Sequence, residues 1–207
     1  MILMYHKVDV IHPSQWWVTV ETFKNQLNEL SNRRCVYLDE YDPTDPNQYV
    51  LTFDDAYENI FRHAFPILVQ KNLPFEVFVN AAYIGGWNCW DDTEPLTRFC
   101  SLDQLEILAK NGGRIQWHSY SHRLLPALSI QELKSEIEIP DFLVEMFAPP
   151  NLKWFAYPYG AHDETVRDLV SKNFSGAVIA GDVTMGCRHQ LSRRYVDEYS
   201  TFCKRSC

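Results

Sequence analysis

Tyr49-Val50-Leu51-Thr52-Phe53-Asp54-Asp55 is a short apolar run that ends on two carboxylates. A helical pattern over 56–71 follows it, and a second apolar run over 75–79 follows that. Runs of this length, bounded by polar residues, read as buried strands. Strand, helix and strand in direct succession make the unit of a parallel sheet. Working outward from this unit, the same alternation recurs. Strands are expected over 2–5, 36–38, 114–117, 154–157 and 177–180, and helices over 20–30, 102–110, 130–146 and 163–172. Phe23, Leu27 and Leu30 share a face of the first helix, and Asn111-Gly112-Gly113 closes another. This many repeats without a break in composition predict an α/β fold closed, or nearly closed, into a barrel. Residues 85–95, with Trp87, Cys89, Trp90 and Asp91, fit neither pattern and read as an inserted loop, as do residues 39–47 with Pro43 and Pro46.

The 207 residues, 46% of them hydrophobic, suffice for one sizeable core, so one domain over 1–207 is expected. Lys and Arg number 19 against 27 Asp and Glu, a net charge of −8 with no basic run, which argues against a nucleic-acid partner. Aromatic residues make up 14% of the chain, a composition suited to flat, amphipathic ligands. No stretch approaches the roughly 18 apolar residues that span a bilayer. The three apolar residues after Met1 are too few for a signal peptide, so a cytoplasmic location is expected. The six cysteines are scattered without a Cys-x-x-Cys and read as free thiols; Cys203 and Cys207 belong to the tail.

In parallel α/β architectures, function gathers where the strands end, because helices occupy the flanks. The residues after each expected strand are Tyr5-His6, Asp54-Asp55, Asn80, His118-Ser119-Tyr120-Ser121-His122, Tyr157-Pro158-Tyr159-Gly160 and Asp182. Nearly every strand delivers a polar side chain to the same rim. On a helical turn, the spacing of His118 and His122 places both imidazoles on one face, able to share a metal ion. Ser119 stands where zinc proteases carry Glu, so that class is not indicated. Two adjacent carboxylates repel unless a cation or proton occupies the pair, which divides Asp54 and Asp55 into one base and one ligand. A helix cap followed by an acidic first turn is the competing structural reading. Adjacent Asp side chains diverge, which disfavours a glycosidase needing carboxylates roughly 5 to 9 Å apart across a bond. One Asp and two His leave a coordination position open for water, whose pKa a metal lowers to about 7. That is a hydrolytic site.

These residues resemble the polysaccharide deacetylases, the NodB homology domain of carbohydrate esterase family four. The resemblance rests on Leu51-Thr52-Phe53-Asp54-Asp55, on His118-Ser119-Tyr120-Ser121-His122 and on Phe155-Ala156-Tyr157-Pro158-Tyr159-Gly160, in family order over most of the chain. It implies a distorted (β/α) barrel of about seven to eight units and removal of an N-acetyl group from an N-acetylated sugar. It further implies Asp54 as general base, Asp55, His118 and His122 as ligands of a divalent metal, and the Tyr159 backbone N–H as oxyanion donor. Zinc suits such a set, as do Co²⁺, Ni²⁺ and Fe²⁺.

The chain departs from the commonest family pattern in two places. No Leu-x-His supplies an acid near the C-terminus, where only His189 stands in Arg188-His189-Gln190-Leu191. Tyr5-His6-Lys7-Val8 instead resembles the Tyr-His opening of a permuted subgroup, which implies His6 as acid. Ala156 stands where the motif has Arg; Arg193 is the candidate for that positive charge on the base, with Asp182 a weaker supporting residue. Trp16, Trp17, Trp87 and Trp90 are candidate sugar platforms or ordinary packing, and Tyr57 shares that ambiguity. A deformylase or other amidase acting on a lipid- or nucleotide-linked sugar, and a sugar-binding barrel without catalysis, are the alternative functions.

Overall fold

The computed structural model describes residues 1–91, 93–147, 149–181 and 187–202. The chain runs β1 (Ile2–Tyr5), β2 (Lys7–Asp9), β3 (Trp17–Thr19), α1 (Val20–Glu29), β4 (Arg34–Cys35), β5 (Gln48–Phe53), α2 (Phe65–Gln70), β6 (Phe75–Val79), α3 (Leu102–Lys110) and β7 (Gly113–Trp117). It continues through α4 (Ile130–Ile137), α5 (Asp141–Met146), β8 (Trp154–Ala156), α6 (Glu164–Asn173), β9 (Gly176–Ala180) and β10 (Leu191–Tyr195). Strands β1, β10, β9, β8, β7, β6 and β5 pair in parallel in that order, and β5 returns to β1 with Val50 opposite Ile2. The sheet thus closes into a seven-stranded parallel barrel with helices around it. β4 pairs with the start of β5, and β2 pairs with β3 apart from the barrel.

Strand period two explains why the sequence reads as unbroken apolar runs. Leu51 and Phe53 of β5 point outward, into a core with Phe23, Leu27, Leu68 and Phe75. Val50 points inward, to Ile2, Phe78, Trp154 and Val178. Farther along the same inward column the residues turn polar: Thr52 from β5, Asp54 just beyond it, Asn80 beyond β6, His118 beyond β7 and Arg193 from β10 are all buried. Gly176 is required at the closed end, because a Cβ there would run into the Trp154 ring. Ser101 with Gln104, and Ser129 with Glu132, form capping boxes that start α3 and α4; Thr19 and Asp163 cap α1 and α6.

Three expected elements differ. In place of a strand over 36–38 the chain forms β4 and then a 3₁₀ turn, Leu38–Glu40, whose Leu38 N–H donates to buried Glu76 at 2.9 Å. The expected helix over 56–71 starts late, because Asp55 and Ala56 have positive φ, and it opens with a π turn, Ile60–Ala64, before α2. Pro66 has no N–H to continue an ordinary ladder there. The helix over 130–146 breaks into α4 and α5 at Pro140, which restricts the residue before it. The described residues of the expected loop, 85–91 and 93–95, form an irregular insertion, bridged by Trp87 to Arg98. No helix of the described residues is long and apolar enough to cross a membrane.

Candidate metal centre and active site

β5 ends by splitting its two carboxylates. Asp54 continues the strand, its N–H donating to Tyr5 O at 2.9 Å. Asp55 (φ 66°) and Ala56 (φ 55°) are left-handed, so the backbone swings away and the two side chains diverge. Such residues cost about 1–3 kcal/mol each and persist where their surroundings hold them. Here Cys100 N–H donates to Ala56 O, and Glu58 N–H to Arg98 O, both at 2.8 Å.

Asp54 faces Arg193 of β10, which is 1% exposed. The two terminal guanidinium nitrogens meet the two carboxylate oxygens at 2.6 Å each, and Arg193 also donates to Thr52 Oγ1 at 3.1 Å. Burial opposes ionisation of Asp54, but Arg193 and then His118 outweigh it and hold the carboxyl well below its usual range.

Asp55 faces the imidazoles. Its Oδ1 lies 3.7 Å from His118 Nε2 and 3.6 Å from His122 Nε2, and it has no hydrogen-bond partner. His118 Nδ1 pairs with the Ala156 carbonyl at 2.7 Å, which turns Nε2 inward as a lone-pair donor. Burial raises Asp55 to about 6 and lowers His122 to about 4; it lowers His118 as well. The imidazoles are therefore neutral at pH 7, as ligands must be. One ligand atom from each of the three residues lies within 4.8 Å of the others. Two ligands each about 2.1 Å from a tetrahedral zinc stand about 3.4 Å apart, so the spacing and the orphaned oxygen fit one small divalent cation.

His118 and His122 do not share a helical turn: Ser119 (φ 67°) and His122 (φ 55°) are left-handed, and the segment is an irregular loop that doubles back to set the ring centroids 4.9 Å apart. The cap-and-first-turn reading of Asp54-Asp55 fails for the same reason, since the helix does not start there.

A cavity of about 360 Å³ opens above these groups, lined by Met4, His6, Trp16, Tyr57, Trp90, Tyr159 and Arg193 among others. His6 stacks edge-on against Trp16, with centroids 4.7 Å apart, and its Nδ1 is buried without a partner. Burial lowers its pKa to about 3, with Asp54 opposing. His189 lies away from the cavity, its Nε2 paired with Phe174 O at 2.9 Å. Tyr159 (φ 59°) stands exposed at the mouth, its ring 4.6 Å from His122; Trp90 stacks on the same imidazole at 5.6 Å. Of the four candidate tryptophans, Trp16 and Trp90 line the cavity. Trp17 is buried with its Nε1 donating to Glu94 at 2.7 Å, and Trp87 is half-exposed elsewhere. Asp182, Cys203 and Cys207 lie outside the described residues.

One feature of the wall has no signal in the sequence beyond a lysine next to His6. Lys7, 2% exposed, pairs with Glu94 at 3.2 Å and lies 4.2 Å from the centre of the Tyr57 ring. This buried pair fastens the inserted loop to the segment that carries His6.

A parallel barrel whose strand ends gather carboxylates and imidazoles around one cavity is thus the class this chain represents. It belongs to the polysaccharide deacetylase family, which matches residues 41–174. That stretch includes Asp54, Asp55, His118, His122 and Tyr159, whereas His6 and Arg193 lie outside it. The chain is 35% identical over 81 residues to chitin deacetylase 1 of Saccharomyces cerevisiae, covering 39% of this chain and 27% of that protein. It spans 40% of the length of a second relative, from Bacillus subtilis. In fold it resembles the Streptococcus pyogenes deacetylase PplD in complex with acetate (TM-score 0.79, 20% identity, 97% of this chain and 93% of that one). It likewise resembles IcaB from Ammonifex degensii (TM-score 0.74, 23% identity, 94% and 91%).

Proposed function

We propose that this chain is a metal-dependent carbohydrate N-deacetylase, hydrolysing the acetamido group of an N-acetylated sugar carried on an oligosaccharide, polysaccharide or glycolipid. The carrying observation is the contrast within one doublet: Asp54 clamped by Arg193, and Asp55 with a free oxygen facing two neutral imidazoles. Family membership supports the same reading. Asp55, His118 and His122 would hold a divalent metal, with zinc the best match to their donors and Co²⁺, Ni²⁺ or Fe²⁺ also suited. When bound, it lowers the pKa of water and polarises the amide carbonyl.

The chain's own residues manage the proton. Amide hydrolysis moves one proton from water to the departing nitrogen, and Asp54 and His6 are the two groups at the cavity placed to hold it in turn. Arg193 keeps Asp54 ionised and aimed, so it is ready to accept; it also makes the acceptance weak, which favours onward transfer. His6, kept neutral by burial, can take up that proton and release it to the amine. Trp16 restrains the imidazole while it does so. The Tyr159 backbone N–H, on its left-handed turn at the mouth, is the candidate donor to oxygen as negative charge develops. Trp16 and Trp90, which line the cavity, are the candidate aromatic contacts for sugar rings.

Acetate release from a panel of N-acetylated oligosaccharides, glycolipids and nucleotide sugars tests this. It should require Zn²⁺ or Co²⁺, vanish with a chelator and return on reloading. Asp54→Asn should lower turnover by about 10²–10⁴-fold with metal content unchanged. His6→Ala should reduce turnover while His189→Ala leaves it intact. A metal-replete chain that releases no acetate from any of these substrates would instead favour the deformylase or the sugar-binding reading.

A further inference from the structure

The loop that presents His118 and His122 has nearly every backbone polar group engaged. Asn80 Nδ2 donates to the His118 and Ser119 carbonyls, Ala82 N–H to Tyr120 O at 2.9 Å, and Tyr83 Oη to Ser121 O at 3.2 Å. His118 N–H donates to Val79 O at 3.0 Å, and His122 N–H to Ser119 Oγ at 3.0 Å. Two further backbone donors of the loop, with the Ser121 hydroxyl and the Trp117 indole, converge on one residue of α4, Glu136. Its backbone carbonyl accepts Tyr120 N–H at 2.9 Å and Trp117 Nε1–H at 3.3 Å, and its carboxylate accepts both Ser121 N–H, at 2.8 Å, and the Ser121 hydroxyl.

Glu136 is 4% exposed and has no cationic partner among the described residues. It lies on the buried face of α4 between Leu133 and Ile137, where an apolar side chain would be cheaper to bury. Its two oxygens serve a single residue, the one immediately before His122. Two left-handed residues make the loop intrinsically costly, so its shape depends on the contacts that over-determine it.

We infer that Glu136 is a positioning residue for the metal centre, fixing the direction of His122 through Ser121. The inference rests on the ligand reading of Asp55, His118 and His122. Outer contacts of this kind orient ligands, and their loss commonly weakens metal affinity by about 10–100-fold. The experiment is chelator-competition measurement of the zinc dissociation constant, with the Tm of the metal-free chain measured in parallel. Glu136→Ala should weaken zinc binding about 10–100-fold. Glu136→Gln keeps an acceptor for Ser121 N–H and should recover most of that loss. Ser121→Ala should show a smaller loss, with no further effect in the Glu136→Ala background, because the two residues act through one contact. Lower Tm with zinc affinity within about twofold in every variant means that Glu136 only stabilises the fold, and overturns the inference. Should Glu136→Ala fail to fold, Ser121→Ala decides, unchanged affinity overturning the inference. A wild-type chain that takes up no zinc sinks the ligand reading itself; normal wild-type binding with indifferent variants sinks only the role of Glu136.

Discussion

The two ends of the barrel each bury a carboxylate among apolar strands, and they treat it differently. At the closed end, Glu76 of β6 is raised to about 7 by burial, yet both oxygens are satisfied: Leu38 N–H donates to one at 2.9 Å and Gln116 Nε2 to the other at 2.7 Å. Gln116 in turn accepts Lys153 and Trp154 N–H at 2.9 Å each, so the network ties β6, β7 and the start of β8 together at this end. At the open end, Asp55 is raised to about 6 by burial, but its Oδ1 accepts nothing and faces two imidazole nitrogens beyond hydrogen-bond distance. Burial alone therefore does not mark a carboxylate as free to take a ligand. What separates the two is whether the lone pairs have been spoken for by donors from the fold.

The largest effect expected is at the open end. Asp55→Ala should weaken zinc binding by more than the roughly 100-fold that an outer contact can cost, while the metal-free chain stays folded, as read by metal titration and circular dichroism. Undiminished affinity would collapse the contrast between the two carboxylates. Glu76→Ala should behave in the opposite way. Leaving the Leu38 N–H and the Gln116 amide unpaired costs about 1–3 kcal/mol each, read from urea unfolding, with zinc affinity unchanged. Loss of zinc binding there would show the two ends to be coupled.

The smallest effect is a pH slope. Burial holds His6 near 3, against roughly 6.5 in an unfolded chain. The unfolded state protonates first, so this contribution to stability is complete above about pH 6.5 and declines as pH falls toward 3. Asp55 and Glu76 act in the reverse sense: their raised values add stability below about pH 4, which is lost as pH rises through 6 to 7. In the metal-free chain, His6→Phe should flatten the acid side of the stability profile by about one proton per unfolding event. An unaltered slope would mean that the imidazole is not held neutral.

Much of the fold was legible because strand and helix periods leave local traces. The runs at 2–5, 49–53 and 75–79 and the helix at 102–110 appear within a residue of their expected bounds. The misread elements share a cause, namely a distant or backbone-level constraint: Glu76 drawing Leu38 into a turn, left-handed Asp55 and Ala56 delaying a helix, Pro140 dividing another. Within the site, Asp54, Asp55, His118 and His122 were recognisable from type and motif, but the reason that the imidazoles meet was not, since left-handed φ at Ser119 leaves no signature in a serine. Glu94 and Glu136 could not be singled out at all. Nothing near either residue in the sequence distinguishes it from a solvated carboxylate, and only folding brings it against Lys7 or Ser121.

By itself, then, the sequence determined the alternation of strand and helix, the inward polar residues at the strand ends and the family motifs, because periodicity and motif spacing are local. The tertiary structure decided which carboxylate is clamped and which is left open. Arg193 and Asp54 are brought to 2.6 Å only because β1, lying between β5 and β10, closes the barrel, and that closure is a property of the whole chain. Charge compensation in a buried site depends on distances across the barrel, and these exist only once the barrel is formed.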